Sequence, residues 1–163
     1  MAKKEDKTNV CRILEQKKID YKEYCYVKEG EETTTNGVEV AKSLGQDERK
    51  VFKTLVTVGK TKEHYVFMIP VAKELDLKKA AKACGEKSIE MIMQKELLPL
   101  TGYIHGGCSP IGMKKQFKTF IDGLATEFDT IVFSAGKVGY QVEMKLDDLK
   151  KVVQVREVDL VKE

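Results

Sequence analysis

Long apolar stretches are missing from this 163-residue chain. The longest, Tyr65 to Ala72, is broken by Pro70 and falls well short of the roughly 18 residues that span a bilayer. Met1 to Lys7 carries charge with no apolar run behind it, so neither a secretory signal nor a membrane partner is expected. Metal-ligand spacing is also lacking. His64 and His105 are the only histidines, and Cys11, Cys25, Cys84 and Cys108 contain no CxxC pair. No metal or cofactor is therefore expected. With 42% hydrophobic residues the chain can build a core without disulfides, so the four cysteines are expected as reduced thiols in a cytoplasmic protein. A large excess of one charge sign is lacking: the net value of +3 is too small to announce a nucleic-acid binder, and no DNA partner is expected.

What is present suits one domain over residues 1–163. Val10, Ile13 and Leu14 predict an amphipathic helix entered near Asp6–Thr8. Tyr21–Val27 reads as a strand, Glu29–Asn36 as a polar turn, and Val38–Leu44 as a short helix closed by Gly45. Val51–Val58 and His64–Ile69 predict a hairpin through Gly59–Glu63. Asp76 caps a helix over Leu77–Cys84, which Gly85 ends; Pro99–Gly112 reads as loop-rich. Further strands are expected at Phe117–Ile121, Thr130–Ser134, Tyr140–Lys145 and Val153–Val158, with short helices at Leu124–Phe128 and Leu146–Val152. Hairpins mixed with short helices give an α+β class with a mostly antiparallel or mixed β-sheet. No sustained heptad or apolar interface is visible, which favours a monomer.

Several motifs fail on context. Gly59-Lys60-Thr61 has the ending of a phosphate-binding loop, but Thr54 stands where its first glycine belongs, and a strand follows instead of a helix. Gly136-Lys137-Val138-Gly139 matches the GxxG of a KH domain, yet strands flank it. His105 and Cys108 offer a base and a nucleophile without an orienting carboxylate.

Three features stand out. Alternation in Val51–Val58 leaves neither strand face polar, so Lys53 either snorkels over apolar neighbours or aims its ammonium into a pocket. Seven of the twelve glycines fall between Gly102 and Gly139, concentrating close backbone approach there. Among them, the loop Gly106-Gly107-Cys108-Ser109-Pro110-Ile111-Gly112 exposes amides able to converge on an anion, and Ser109-Pro110 would suit the start of a helical turn. Lysines follow at 114 and 115; together with Lys73, Lys78, Lys79, Lys82 and Lys87 they form either solvated faces or a surface for a polyanion. Ser134–Tyr140 is a strand end, a glycine turn and a new strand.

Taken together, Val51-Phe52-Lys53-Thr54-Leu55-Val56, Leu75-Asp76-Leu77-Lys78-Lys79-Ala80, Gly106 to Lys115 and Ser134-Ala135-Gly136-Lys137-Val138-Gly139 resemble, in order and separation, the YbaK/EbsC family of aminoacyl-tRNA deacylases. That family is related to the editing domain of bacterial prolyl-tRNA synthetases, and the resemblance runs from about Lys7 to Val158. The GGxSPxGxKK form is similar to the free-standing cysteinyl-tRNA deacylases.

The resemblance implies a curved mixed sheet with helices around it and a pocket for the aminoacylated 3′ end of tRNA. The family lysine maps onto Lys53, with Thr54 beside it. The glycine loop maps onto Gly106 and Gly107 as backbone donors, with Ser109 in the same loop, and the hairpin serine onto Ser134. A pocket tyrosine maps onto Tyr26, with Tyr24 as the neighbouring choice. The family chemistry lets the substrate's own cysteine thiol attack its ester, removing cysteine from Cys-tRNA(Pro) and needing no protein nucleophile. A prolyl-tRNA synthetase partner is implied for choosing the tRNA. The alternatives are a water-using deacylase of another small aminoacyl-tRNA such as Ala-tRNA, a non-catalytic 3′-end binder, and a hydrolase that uses Cys108.

Overall fold

A computed structural model describes residues 7–26 and 36–163. The turn expected over residues 29–36 lies outside them apart from Asn36, as does the end of the strand expected to reach Val27.

The chain opens with helix α1 (Asn9–Gln16), whose first N–H groups need an acceptor; Thr8 supplies one by accepting from the Cys11 N–H. Strand β1 (Lys22–Cys25) follows, then α2 (Gly37–Ser43), capped by the Asn36 side chain, which accepts from the N–H groups of Val38 and Glu39. A single 3₁₀ turn at Glu48–Lys50 leads into the hairpin of β2 (Phe52–Gly59) and β3 (His64–Pro70). Helix α3 (Leu77–Cys84) has the expected Asp76 cap, with Gly85 left-handed at its end. Strand β4 (Ile89–Met91), helix α4 (Gln94–Thr101), β5 (Lys118–Asp122), a 3₁₀ turn at Gly123–Glu127, β6 (Ile131–Ser134), β7 (Tyr140–Met144), α5 (Leu146–Val152) and β8 (Val155–Val158) complete the order.

The mixed sheet is built as two ladders. One, in the order β1-β7-β6, is antiparallel throughout; the other, β4-β2-β3-β5-β8, is antiparallel at its β4 end and parallel from β3 to β8. An isolated parallel bridge between Val51 and Val132 joins them. Strand β3 is central and apolar on both faces, and its alternation divides the core. Val66 and Met68 pack with Val10 and Leu14 of α1, Ile121, Phe133 and Leu149; Tyr65, Phe67 and Ile69 pack with Ala80 and Ala81 of α3 and with Leu160. Each fully buried aliphatic or Phe side chain contributes about 1.5–3 kcal/mol by leaving water. Phe67 and Phe120, partners across the parallel pair, stack with ring centroids 5.5 Å apart. All four cysteines are free.

Two expectations are corrected here. The loop expected from Pro99 begins inside a helix: α4 contains Pro99 and ends at the left-handed Gly102. Proline removes one helical bond, but the Glu96 carboxylate, accepting from the Met93 N–H at 2.7 Å, and the Thr101 hydroxyl, donating to the Leu97 carbonyl, secure both ends. The helical turn expected at Ser109-Pro110 does not form; Ser109 Oγ accepts instead from the Ile111 N–H at 3.3 Å, and the chain stays irregular up to β5.

Candidate active site

Strand β4 pairs with β2 only at Thr57 to Gly59, so the first half of β2 has a bare edge facing α2 and the end of the β6–β7 hairpin. A cavity of about 340 Å³ occupies this gap, at the small end of ligand pockets, which run from about 300 to 1,000 Å³. Its apolar floor includes Val40, Val51 and Val71. Gly37 closes the α2 side: a Cβ there would come within 2.5 Å of Val71.

Lys53 stands on the wall. Its ammonium has no hydrogen-bond or ion-pair partner among the described residues. Burial lowers its pKa from the ordinary lysine value, while the charge of Glu74 pulls it back upward. Lys53 thus borders a cavity, the setting that the second of its two sequence readings requires. Thr54 also lines the cavity, and its Oγ1 is buried with no partner among the described residues. A buried hydroxyl of that kind is ordinarily completed by water or a ligand.

From the opposite side come Ser134 at the end of β6 and Gln141 on β7, cross-strand partners whose side chains share a face. Ser134 Oγ accepts from the Gly136 N–H at 3.1 Å, which leaves its O–H free to donate. Tyr26 lies just past β1, its N–H bonded to the Gly139 carbonyl at 2.8 Å, and burial raises its phenol pKa. The two tyrosines are placed differently: Tyr26 lines the cavity, whereas Tyr24 donates to Glu143 Oε1 at 2.5 Å and is not on the wall.

The glycine loop divides. Gly106 is on the wall with φ +86°, and its N–H has no acceptor among the described residues. Gly107 is corrected. Its N–H is spent on the Ile104 carbonyl at 2.9 Å and it does not line the cavity. Its lack of a side chain is needed for packing, since a Cβ would sit 2.9 Å from the Val138 nitrogen of the β6–β7 turn. Ser109 is also corrected: it is wholly buried, off the wall, and serves the turn at Ile111. His105 and Cys108, set aside as a catalytic pair, both line the cavity. The Cys108 thiol is pushed up to about 12 by burial, so it is neutral and a poor nucleophile. Gln141 and Asn36 were not foreseen as wall residues.

Among the described lining residues there is no carboxylate; the ionisable ones are Lys53, His105, Tyr26 and Cys108. Nor do the described residues contain a group of three or more His, Cys, Asp or Glu side chains able to hold a metal ion. The described part of the wall is rich in donors and holds no carboxylate, which suits recognition of ester, hydroxyl or phosphate oxygens.

Residues 31–152 match the family model of the aminoacyl-tRNA editing domain. The chain belongs to that family. An editing domain removes a wrongly attached amino acid from tRNA, so deacylation of an aminoacyl ester is the chemistry the cavity has to support. The chain is 50% identical over 146 residues to an Enterococcus faecalis protein described as a candidate Cys-tRNA(Pro)/Cys-tRNA(Cys) deacylase, EbsC, covering 88% of each chain. In fold it is similar to a candidate trans-editing enzyme for prolyl-tRNA synthetase (TM-score 0.79, 21% identity, 96% of this chain and 99% of the other). It is likewise similar to the hypothetical protein APE2540 (TM-score 0.80, 20% identity, 93% and 97%). Among the described residues no helix of this editing domain is long and apolar enough to cross a membrane.

Proposed function

We propose that this editing domain, acting as one unit over residues 1–163, removes cysteine from Cys-tRNA(Pro) by letting the substrate supply the nucleophile. The observation that carries the reading is the composition of the cavity: an unpaired lysine and a free backbone amide, with no carboxylate base or activated nucleophile among the described lining residues. In the step proposed, the cysteinyl sulfur attacks the ester carbonyl and an S–C bond forms. The bond to the 3′ oxygen then breaks, that oxygen takes up the thiol proton, and a thiolactone and free tRNA are released. The protein holds the reacting atoms in line, which is worth many orders of magnitude in effective concentration, and steadies the developing oxyanion. Lys53 orients the terminal phosphate or the carbonyl, Gly106 N–H donates to the oxyanion, and Tyr26, Thr54 and Ser134 position the aminoacyl group. A prolyl-tRNA synthetase supplies tRNA selection to a protein that acts as a monomer in the cytoplasm.

Support also comes from the name of the 50% identical relative, which includes Cys-tRNA(Pro). Proline and cysteine are close in size, and pocket shape alone discriminates by only about 10- to 200-fold; a required thiol is a test that prolyl-tRNA cannot pass. The experiment is deacylation of Cys-, Ala- and Pro-tRNA(Pro), with mass analysis of the product. Loss of cysteine alone as thiolactone is expected. Release of free alanine would replace the substrate and the mechanism, and inertness toward all three would leave a binding module.

A further inference from the structure

Gln141 is only 6% exposed, yet it stands in the cavity wall beside Ser134. Its Oε1 accepts a hydrogen bond from Gln46 Nε2 at 2.9 Å, across 95 positions of sequence. Gln46 is itself held firmly. It follows the left-handed Gly45, its N–H bonds back to the Ala41 carbonyl at 2.9 Å, and Gly45 N–H bonds to Lys42, the double bond pattern that fastens a helix end. The other end of the Gln46 amide, Oε1, is buried with no partner among the described residues.

A pair of carboxamides can meet in two polarities. In the one described, the atom left over on Gln46 is a carbonyl oxygen; with both amides reversed it would be an NH₂ group with two unmet donors. A carbonyl without a partner is the more tolerable at the enclosed Gln46 end, while unmet donors are better placed on Gln141, which borders the cavity. The observed polarity leaves the Gln141 Nε2 hydrogens without an acceptor among the described residues, next to the free Ser134 O–H.

We propose that Gln46 is a positioning residue that fixes the polarity of the Gln141 carboxamide, so that Gln141 offers its NH₂ to an acceptor oxygen of the bound aminoacyl ester. The inference rests on the editing reading of this cavity. It makes Gln141 a substrate contact and gives α2, through its C-terminal turn, a part in setting substrate fit.

Gln46→Glu tests it with little change of volume. A carboxylate at 46 accepts only, so the Gln141 NH₂ turns toward it and a carbonyl faces the substrate. Deacylation by wild type, Gln46→Glu, Gln46→Leu, Gln141→Leu and the Gln46→Glu/Gln141→Leu double variant is measured. Binding of a 3′-amide-linked cysteinyl adenosine, which cannot be cleaved, is measured by calorimetry. Gln46→Glu and Gln141→Leu should each lower kcat/KM and weaken the amide by about 10- to 100-fold, with the double variant no worse than Gln141→Leu. Gln46→Leu, which removes the donor without adding charge, should lose activity as a folded protein and so separates polarity from stability. Wild-type values in folded Gln46→Glu and Gln46→Leu, or losses that simply add, would overturn the inference while leaving deacylation intact. Amide binding that depends on Gln46 in a wild type that cleaves no aminoacyl-tRNA would uphold it and remove the deacylase reading. No binding and no cleavage would remove both.

Discussion

Lys50 Nζ lies 2.6 Å from Glu143 Oε2, closing an ion pair between the entrance to β2 and the far end of β7. Thr130 and Tyr24 also donate to the Glu143 carboxylate, so three groups from separate parts of the chain converge on it. Lys53 is three residues beyond Lys50 and Gln141 two before Glu143, so this knot ties together the two stretches of chain that carry opposite walls of the cavity.

Acid should loosen the knot. Burial alone would raise the Glu143 pKa, but the hydrogen bonds from Lys50, Thr130 and Tyr24 outweigh it and hold the carboxyl at about 2, below its ordinary 4.5. A carboxyl with a depressed folded pKa contributes stability that is present above the unfolded value and lost as pH falls through the folded one. Urea unfolding of wild type and Glu143→Gln should therefore differ most near neutrality and converge between pH 4.5 and 2. A constant gap would locate the stabilisation elsewhere. Lys50→Met, which removes the cation but leaves the hydrogen bonds from Thr130 and Tyr24, should cost about 1.5–3 kcal/mol at pH 7.

Lys53→Met should remove deacylation by at least about 100-fold without loosening the fold. A partly buried ammonium with no partner among the described residues costs stability while it is charged in the native state. That penalty is fully present below its lowered folded pKa and is relieved as pH rises through it toward 10.5. The variant should consequently melt at or above the wild-type temperature at pH 7. A lower Tm would show the side chain to be structural.

Cys108→Ala tests the nucleophile question directly. The thiol is neutral because its pKa stands at about 12, so turnover should stay within about threefold of wild type. A loss of a hundredfold or more in the folded variant would make Cys108 the attacking group.

Gly107→Ala and Gly106→Ala should fail for different reasons. At Gly107 the added methyl meets backbone at 2.9 Å, so the loop must part from the β6–β7 turn, costing about 1–3 kcal/mol and much of the activity. At Gly106 the strain comes from φ +86°, about 1 kcal/mol, and the donor itself is disturbed. Thermal melts should rank Gly107→Ala as the less stable.

The legible parts were those written in local chemistry. Asp76 and Gly85 mark α3 at both ends because capping and left-handed closure need only neighbouring residues. The β2–β3 hairpin and its lysine follow from alternation, and the four-motif resemblance pointed to Lys53, Thr54, Gly106, Ser134 and Tyr26, all of which the fold brings to one cavity. What escaped was settled by distant partners. Helix α4 survives Pro99 through two hydrogen bonds at its ends, Gly107 looks like a donor until Ile104 claims its amide, and Gln141 gains meaning only from Gln46. No window of a few residues contains those relationships.

The cavity wall draws on Tyr26 near one end of the sequence and Gln141 near the other. Such a site has no local precursor: until β6 and β7 have been synthesised and docked through the Val51–Val132 bridge, Ser134 and Gln141 are missing from its wall. A partly folded chain then carries Lys53 and Gly106 without the polar side chains that complete the wall. An unfinished chain on the ribosome should therefore hold an aminoacyl ester less closely than the completed protein does.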